Sequence, residues 1–453
     1  MIETLKAWWQ ELRSHILFIP GLLVFFGMGL AVAMVEIDRS IGAEPIRGIP
    51  WLFGGGASGA RDVLATIATA MAQLAGITFS VTIVALALRS QQFGPRLLRN
   101  FTRDTANQVV LGTFLGTFVY ALLVLRSVRD LEDATFVPLL AITGAILLAL
   151  VSLGFFIFFI DKIVDSIQAT SIIAQAAEET HAAIDSLFPE SLGEDGYTEG
   201  DELEHPPLAD AVPVLSRETG YIQTLANEKL IELASKADIL VRMEAPIGGF
   251  IVKGTPLASV SPRSRVDEKL LSKIWKTYQI GRHRSVTSDP EFGIRQVVDV
   301  AVKALSPSMN DPTTAVTTTE YVGALVIDFA TRSIPSNLRM DYRGTLRVIA
   351  IGPTFRQVAD LAFDQIREYG SDSVAVVLAL LDSIIRVAGA VRAEPRKEIL
   401  ASHVWKISRA AAKAIPDPVD REAVNRRLRL AMESLGRGES DAMHYLLPLK
   451  HEG

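Results

Sequence analysis

Four apolar stretches stand out against the polar background of the first 160 residues. Ile16–Val35, Val63–Leu88, Val109–Leu125 and Val137–Ile160 contain no Asp, Glu, Lys, Arg or His, and they run for 20, 26, 17 and 24 residues. At about 1.5 Å rise per residue, ~20 residues of helix cross the ~30 Å hydrocarbon core of a bilayer. The pattern therefore predicts four membrane-spanning helices. The third stretch is short, but Gln108 and Arg126 flank it where interface residues belong. The first follows Lys6 and Arg13 and ends near a small-residue "AVA" at 31–33, as a signal peptide does. Its apolar core is longer than usual for such a peptide, which favours a retained anchor, with Trp8 and Trp9 in the interfacial belt.

Beyond residue 160 the period changes. Ile163, Ile167, Ile172, Ile173, Ala176 and Ala177 keep helical spacing, so the fourth helix is expected to continue as an amphipathic stalk over 161–188. Residues 189–210 carry eight acidic side chains with Gly and Pro-Pro and read as a solvated linker. From 211 to 262, "AVPVLS", "GYIQTL", "DILVRME" and "GFIVKGTPLASV" are short, bounded by Gly and Pro, and read as strands of a small β-rich module. One helix, 226–237, interrupts them. The remainder, 263–453, is expected to be mainly helical, over 265–280, 291–305, 312–331, 353–369, 371–392, 395–414 and 419–435, with one strand at 345–352. The fold class is thus an α-helical integral membrane protein with four transmembrane helices plus a mixed α/β, mainly helical cytoplasmic domain.

Charge sets the orientation. Lys6, Arg13, Arg89, Arg96, Arg99 and Arg103 lie on one side of the spans, against Arg39, Arg47, Arg61, Arg126 and Arg129 on the other. The compact basic second loop tips the balance towards cytoplasmic termini in a bacterial inner membrane. With no cysteine there is no disulfide or thiolate metal site, and the seven histidines show no paired ligand spacing, so neither a metal nor another cofactor is expected. A net charge of −6 gives no hint of nucleic acid.

The second span departs from what lipid favours. Thr66, Thr69, Gln73, Gly76 and Ser80 fall within an arc of roughly 80° at 100° per residue, a polar line through most of the membrane. An unpaired amide or hydroxyl facing hydrocarbon costs several kcal/mol, so protein or water must cover this line. Helix packing is the commoner reason for such a stripe. A hydroxyl-lined pathway at the centre of a homo-oligomer is the other, and a mid-membrane Gln73 exceeds what packing requires. The charge-free segments hold no Asp, Glu or His to relay protons, which disfavours a proton-driven carrier.

Three further places carry candidate contacts. Gly112 and Gly116 in "LGTFLGTF" have the spacing of a close helix crossing. "ALSPSMNDPTTA" (304–315) reads as a corner between helices, with Asp311 as N-cap and Pro312 at the first helical position. Asn310 and Asp311 there, with Arg282 and Arg284 of "GRHRSVTSDPEFG" (281–293), are candidate contacts for a small ligand or a neighbouring subunit. Asp289 is a second expected cap.

The segments "ITFSVTIVALALRSQQFGPRLLRNFTRD" (77–104), "NQVVLGTFLGTFVYALLVLR" (107–126) and "DPEFGIRQVVDVAVKALSPSMNDPTTA" (289–315) resemble a family of bacterial predicted membrane proteins, domain-of-unknown-function family 2254. The resemblance implies four N-terminal spans followed by a cytoplasmic domain. It brings no catalytic residues or ligand. Two functions follow from the residues: a homo-oligomeric channel or passive pathway with a cytoplasmic vestibule, or a membrane-anchored sensor or scaffold. No catalytic constellation supports an enzyme.

Overall fold

The computed structural model describes residues 18–41, 53–93, 105–131, 134–188, 208, 210–332, 334 and 336–448. The acidic linker falls almost wholly outside them, as do residues 42–52 between the first two helices. The chain divides into two compact units, 1–171 and 172–453.

The first unit contains α1 (Phe18–Ile41), α2 (Ala57–Phe93), α3 (Thr105–Ser127) and α4 (Leu139–Ile167), with a hairpin, β1 (Arg129–Leu131) and β2 (Ala134–Phe136), between α3 and α4. All four helices are long and apolar enough to cross a membrane. Each outruns its charge-free core. The shortest apolar run lies at the centre of the bundle: α3 packs on the other three helices and half of its apolar window is buried, against 22% for each of the others. Small and hydroxyl residues that would suit lipid poorly suit that position. Thr117 Oγ1 lies 3.2 Å from Ser152 Oγ on α4, both buried.

The outer faces are apolar. Leu22, Phe25, Phe26 and Val32 on α1 and Leu147, Leu150 and Ile157 on α4 are all more than half exposed, a surface that water penalises and acyl chains accept. Residues 57–60 of the Gly-rich segment "GGGASGA" (54–60) already form the first turn of α2. At the start of α4, Pro138 offers no side-chain cap. Asp38 of α1 supplies one across the bundle, accepting from the backbone N–H groups of Leu140 (3.0 Å) and Ala141 (2.9 Å). This buried carboxylate lies beyond the charge-free part of α1 and is fully engaged as a cap.

In the second unit, α5 (Ala169–Leu187) leads to β3 (Val212–Leu215), β4 (Gly220–Leu225), α6 (Asn227–Ala237), β5 (Leu240–Met243), β6 (Phe250–Ile251) and β7 (Pro256–Ser261). Then come α7 (Glu268–Trp275), β8 (Tyr278–Gly281), α8 (Pro290–Ala304), α9 (Pro312–Thr331), β9 (Leu338–Met340) and β10 (Leu346–Ile349). The chain closes with α10 (Phe355–Gly370), α11 (Val374–Ala390), α12 (Glu394–Ala414), α13 (Pro418–Ser434) and α14 (Glu439–Ala442).

Several expectations need correction. The stalk is not one rod: the backbone turns extended at Gln168, and from Ile172 onward the helix belongs to the second unit. Ile173, Thr180 and Ile184 are completely buried there, and a Cβ at Gly293 of α8 would lie 2.2 Å from Thr180 Oγ1. The helix expected over 265–280 stops at Trp275, because Tyr278–Gly281 pair with β4 as a strand. "GFIVKGTPLASV" splits at Gly254 (φ +89) into β6 and β7, which join different sheets.

Nor do the strands of 211–262 close on themselves. One sheet has the order β3-β7-β5-β10-β9 and the other β6-β4-β8, so each recruits strands from beyond residue 262. Strand β10 runs parallel to β5, a pairing between residues more than 100 apart. Ile222, Leu230, Ile239, Val241, Leu257, Val260 and Ile274 form the core of this α/β part. The later helices pack as a layered bundle, α9 against α8, α10 and α11, and α12 against α10, α11 and α13.

Candidate functional site

The polar line of α2 faces away from its own bundle. Leu64, Ala68, Met71, Ala75, Thr78 and Ala85 form the buried face of α2. The centre of the Thr66-Thr69-Gln73-Gly76-Ser80 arc lies about 170° around the helix from the centre of that face. All five positions are exposed. A Cβ built at Gly76 meets nothing within 4 Å. Thr66 returns its hydroxyl proton to the Asp62 carbonyl (2.7 Å), while Thr69, Gln73 and Ser80 make no side-chain hydrogen bond to another described residue. Thr69 and Gln73 also border an open groove of about 510 Å³ on the α2–α3 flank, with Ala65, Ala72, Phe118 and Leu122. None of the other described helices of the first unit covers the line.

Gly112 and Gly116 lie where α3 packs closely on α1. A Cβ at Gly112 would meet Leu23 Cδ1 at 2.6 Å, and one at Gly116 would meet the Leu23 carbonyl oxygen at 2.8 Å. The third partner was not singled out from sequence: a Cβ at Gly27 of α1 would lie 2.5 Å from the Gly116 carbonyl oxygen. Here the contact is between helices of one chain.

In the second unit the candidate contacts are set at opposite ends of α8, Arg284 at its N-cap Asp289 and Asn310 and Asp311 beyond its C-terminus. Asp311 caps α9, accepting from Thr314 N (3.0 Å) and Thr314 Oγ1 (2.6 Å), and these bonds hold its carboxyl below the usual range. Asn310 adopts the left-handed region (φ +45) that Asn tolerates, and its N–H and that of Asp311 close the end of α8 on Ser306 and Ala304 carbonyls. Arg284 forks onto Asp289 (2.7 and 3.0 Å) and stacks 5.1 Å over Phe292, while Asp289 also accepts from Phe292 N as the cap of α8. Of the four candidate contacts, Arg282 is exposed and has no ion pair among the described residues, and the Asn310 side chain is exposed as well. Local geometry engages the rest.

Folding assembles a cluster that linear spacing hid. Asp360 and Asp364, one turn apart on α10, meet His403 and Lys406, three apart on α12. His403 is 1% exposed, with Nε2 3.2 Å from Asp360 Oδ1 and Nδ1 3.7 Å from Asp364 Oδ1, yet neither nitrogen makes an aligned hydrogen bond. Burial, then the Lys406 charge, pushes its pKa down to about 4, so the imidazole is neutral. Two carboxylates and an imidazole form a donor set that suits a divalent cation. In this structure the Lys406 ammonium takes that role: Nζ lies 2.9 Å from Asp360 Oδ1 and 2.9 Å from Asp364 Oδ2. The only sequence clue was the i, i+4 spacing of the two aspartates.

Four apolar helices with lipid-compatible outer faces, joined to a mixed α/β unit, define a polytopic α-helical membrane protein. The chain belongs to the predicted membrane protein family DUF2254, whose model matches residues 13–386. It is similar to uncharacterised proteins of Mycobacterium bovis and Mycobacterium tuberculosis, each 32% identical over 437 residues, covering 94% of this chain and 81% of the relative.

Proposed function

We propose that the protein is a homo-oligomeric passive permeation pathway of the bacterial inner membrane. Its termini and second unit lie in the cytoplasm, the latter as a vestibule or regulatory part, and it has no catalytic role. One observation carries this reading: Thr66, Thr69, Gln73, Gly76 and Ser80 are presented outward from α2, opposite its packed face. A lone chain in lipid would strand the Gln73 amide in hydrocarbon at a cost of several kcal/mol. Copies arranged with α2 innermost remove that cost by giving the line water or a neighbouring α2. The exposed apolar faces of α1 and α4 then meet lipid.

Absence of native cysteine makes the test clean, since each introduced thiol is the sole one. Thr69→Cys, Gln73→Cys and Ser80→Cys are compared with Phe25→Cys and Ile157→Cys in native membranes. Stripe thiols should react with a water-soluble methanethiosulfonate reagent or cross-link between copies, and the other two should do neither. In planar bilayers, Gln73→Leu should alter the conductance. Stripe thiols as inert as Phe25→Cys, with no cross-link and no current, refute the proposal.

A further inference from the structure

We propose that a groove between α10 and α12 binds a nucleoside polyphosphate. The groove has a volume of about 510 Å³, within the ~300–1,000 Å³ typical of small-molecule sites. Lys406, Arg409 and Lys413 recur at i, i+3 and i+7 on α12, so their side chains share one face. Arg367 of α10 and Ser371 just beyond it line the same groove. Cations from two helices thus converge on one concavity, which a merely solvated basic face of a single helix does not produce.

The four cations differ in how far they are already neutralised. Lys406 is held by Asp360 and Asp364, and Arg367 lies 3.2 Å from Glu368 and 3.5 Å from Asp364. These pairs fix the two side chains in place. Arg409 and Lys413 are exposed and have no carboxylate partner among the described residues. Uncommitted charge beside pre-positioned charge suits a polyanion, whose oxygens accept several charge-assisted hydrogen bonds at once.

Trp405 supplies the reason for a nucleoside over a bare phosphate. Its side chain is 46% exposed at the groove, with the Arg409 guanidinium 5.2 Å from the ring centroid. An indole left in water beside phosphate-seeking cations offers a stacking surface for a base, and the guanidinium extends it. Among these residues only Arg367 and Ser371 fall within the stretch matched by the family model. The inference concerns residues 172–453 alone and stands or falls independently of the membrane pathway.

The test is calorimetric titration of the full chain in detergent micelles, at constant moderate salt, with ATP, inorganic pyrophosphate and dihexanoyl phosphatidic acid. ATP should bind saturably and more tightly than pyrophosphate. Arg409→Gln with Lys413→Gln should weaken both by at least about tenfold, as expected for losing two charged contacts. Trp405→Leu should remove the ATP advantage and leave pyrophosphate binding intact. Arg356→Gln, an exposed cation elsewhere on α10, should change nothing. The proposal is overturned if ATP gives no saturable heat at millimolar concentration. It is equally overturned if the double variant binds as the parent does, if Arg356→Gln loses as much, if pyrophosphate equals ATP, or if only the lipid binds.

Discussion

Replacing Gly27 with Ala tests how the first unit is held together. The new Cβ would stand 2.5 Å from the Gly116 carbonyl oxygen, whereas ordinary contact starts at 3.4 Å. Backbone atoms on both sides leave no side chain to swing away, so α1 and α3 must separate by about 0.9 Å locally. A radial gap of ~0.5–1 Å forfeits a quarter to a half of each dispersion contact along the seam. The expected destabilisation is about 2 kcal/mol, at the level of other overpacked sites and larger than the fraction of a kcal/mol gained by Gly→Ala elsewhere in a helix. Gly29→Ala is the internal control, because its Cβ meets nothing within 4 Å. Unfolding in mixed micelles of rising SDS content, followed by circular dichroism, should place the Gly27 variant's midpoint well below the parent's and the Gly29 variant's at or slightly above it. Equal midpoints for the two would falsify the claim that this glycine contact sets the helix separation.

Three other expectations follow from single contacts. Asp38→Ala removes the acceptor for two N–H groups at the start of α4 and should lower stability by about 1–2 kcal/mol in the same SDS titration, with Asp38→Asn recovering part of it. His181 of α5 bonds Asp328 of α9 (2.6 Å), and this bond raises its pKa above the ordinary 6.5. The pair's contribution is therefore complete below pH 6.5 and lost as pH rises through the raised folded value. Since both partners are partly exposed it should not exceed about 1 kcal/mol, and His181→Gln should flatten thermal stability against pH across that window. Lys406→Met takes the ammonium from between Asp360 and Asp364, which should lower the melting temperature and create zinc affinity absent from the parent; no gain in zinc titration heat refutes the ammonium's role as the cation of that cluster.

Much of the architecture is written in one-dimensional patterns. A charge-free run long enough to cross hydrocarbon has few alternatives, so the four long apolar helices follow from composition and length alone. Asp289-Pro290 and Asp311-Pro312 start helices because a cap carboxylate and a proline's fixed φ act within one turn. The polar line on α2 is visible from 3.6-residue periodicity. Which way that line points is not, since its orientation depends on which face of α2 meets α3 and α4.

Only the tertiary structure decided the rest, wherever the deciding partner is distant in sequence. Tyr278–Gly281 becomes a strand because β4, more than 50 residues earlier, needs a neighbour, a demand that outweighs the local helical pattern. Gly27 joins Gly112 and Gly116 only when α1 lies against α3. His403 meets Asp360 and Asp364 across two helices some 40 residues apart, so no motif spacing announced the cluster. Short-range sterics, hydrogen-bonding needs and hydrophobic length are properties of consecutive residues. The convergence of side chains on a site depends on how helices and strands choose partners, and that choice is made by burial summed over the whole unit.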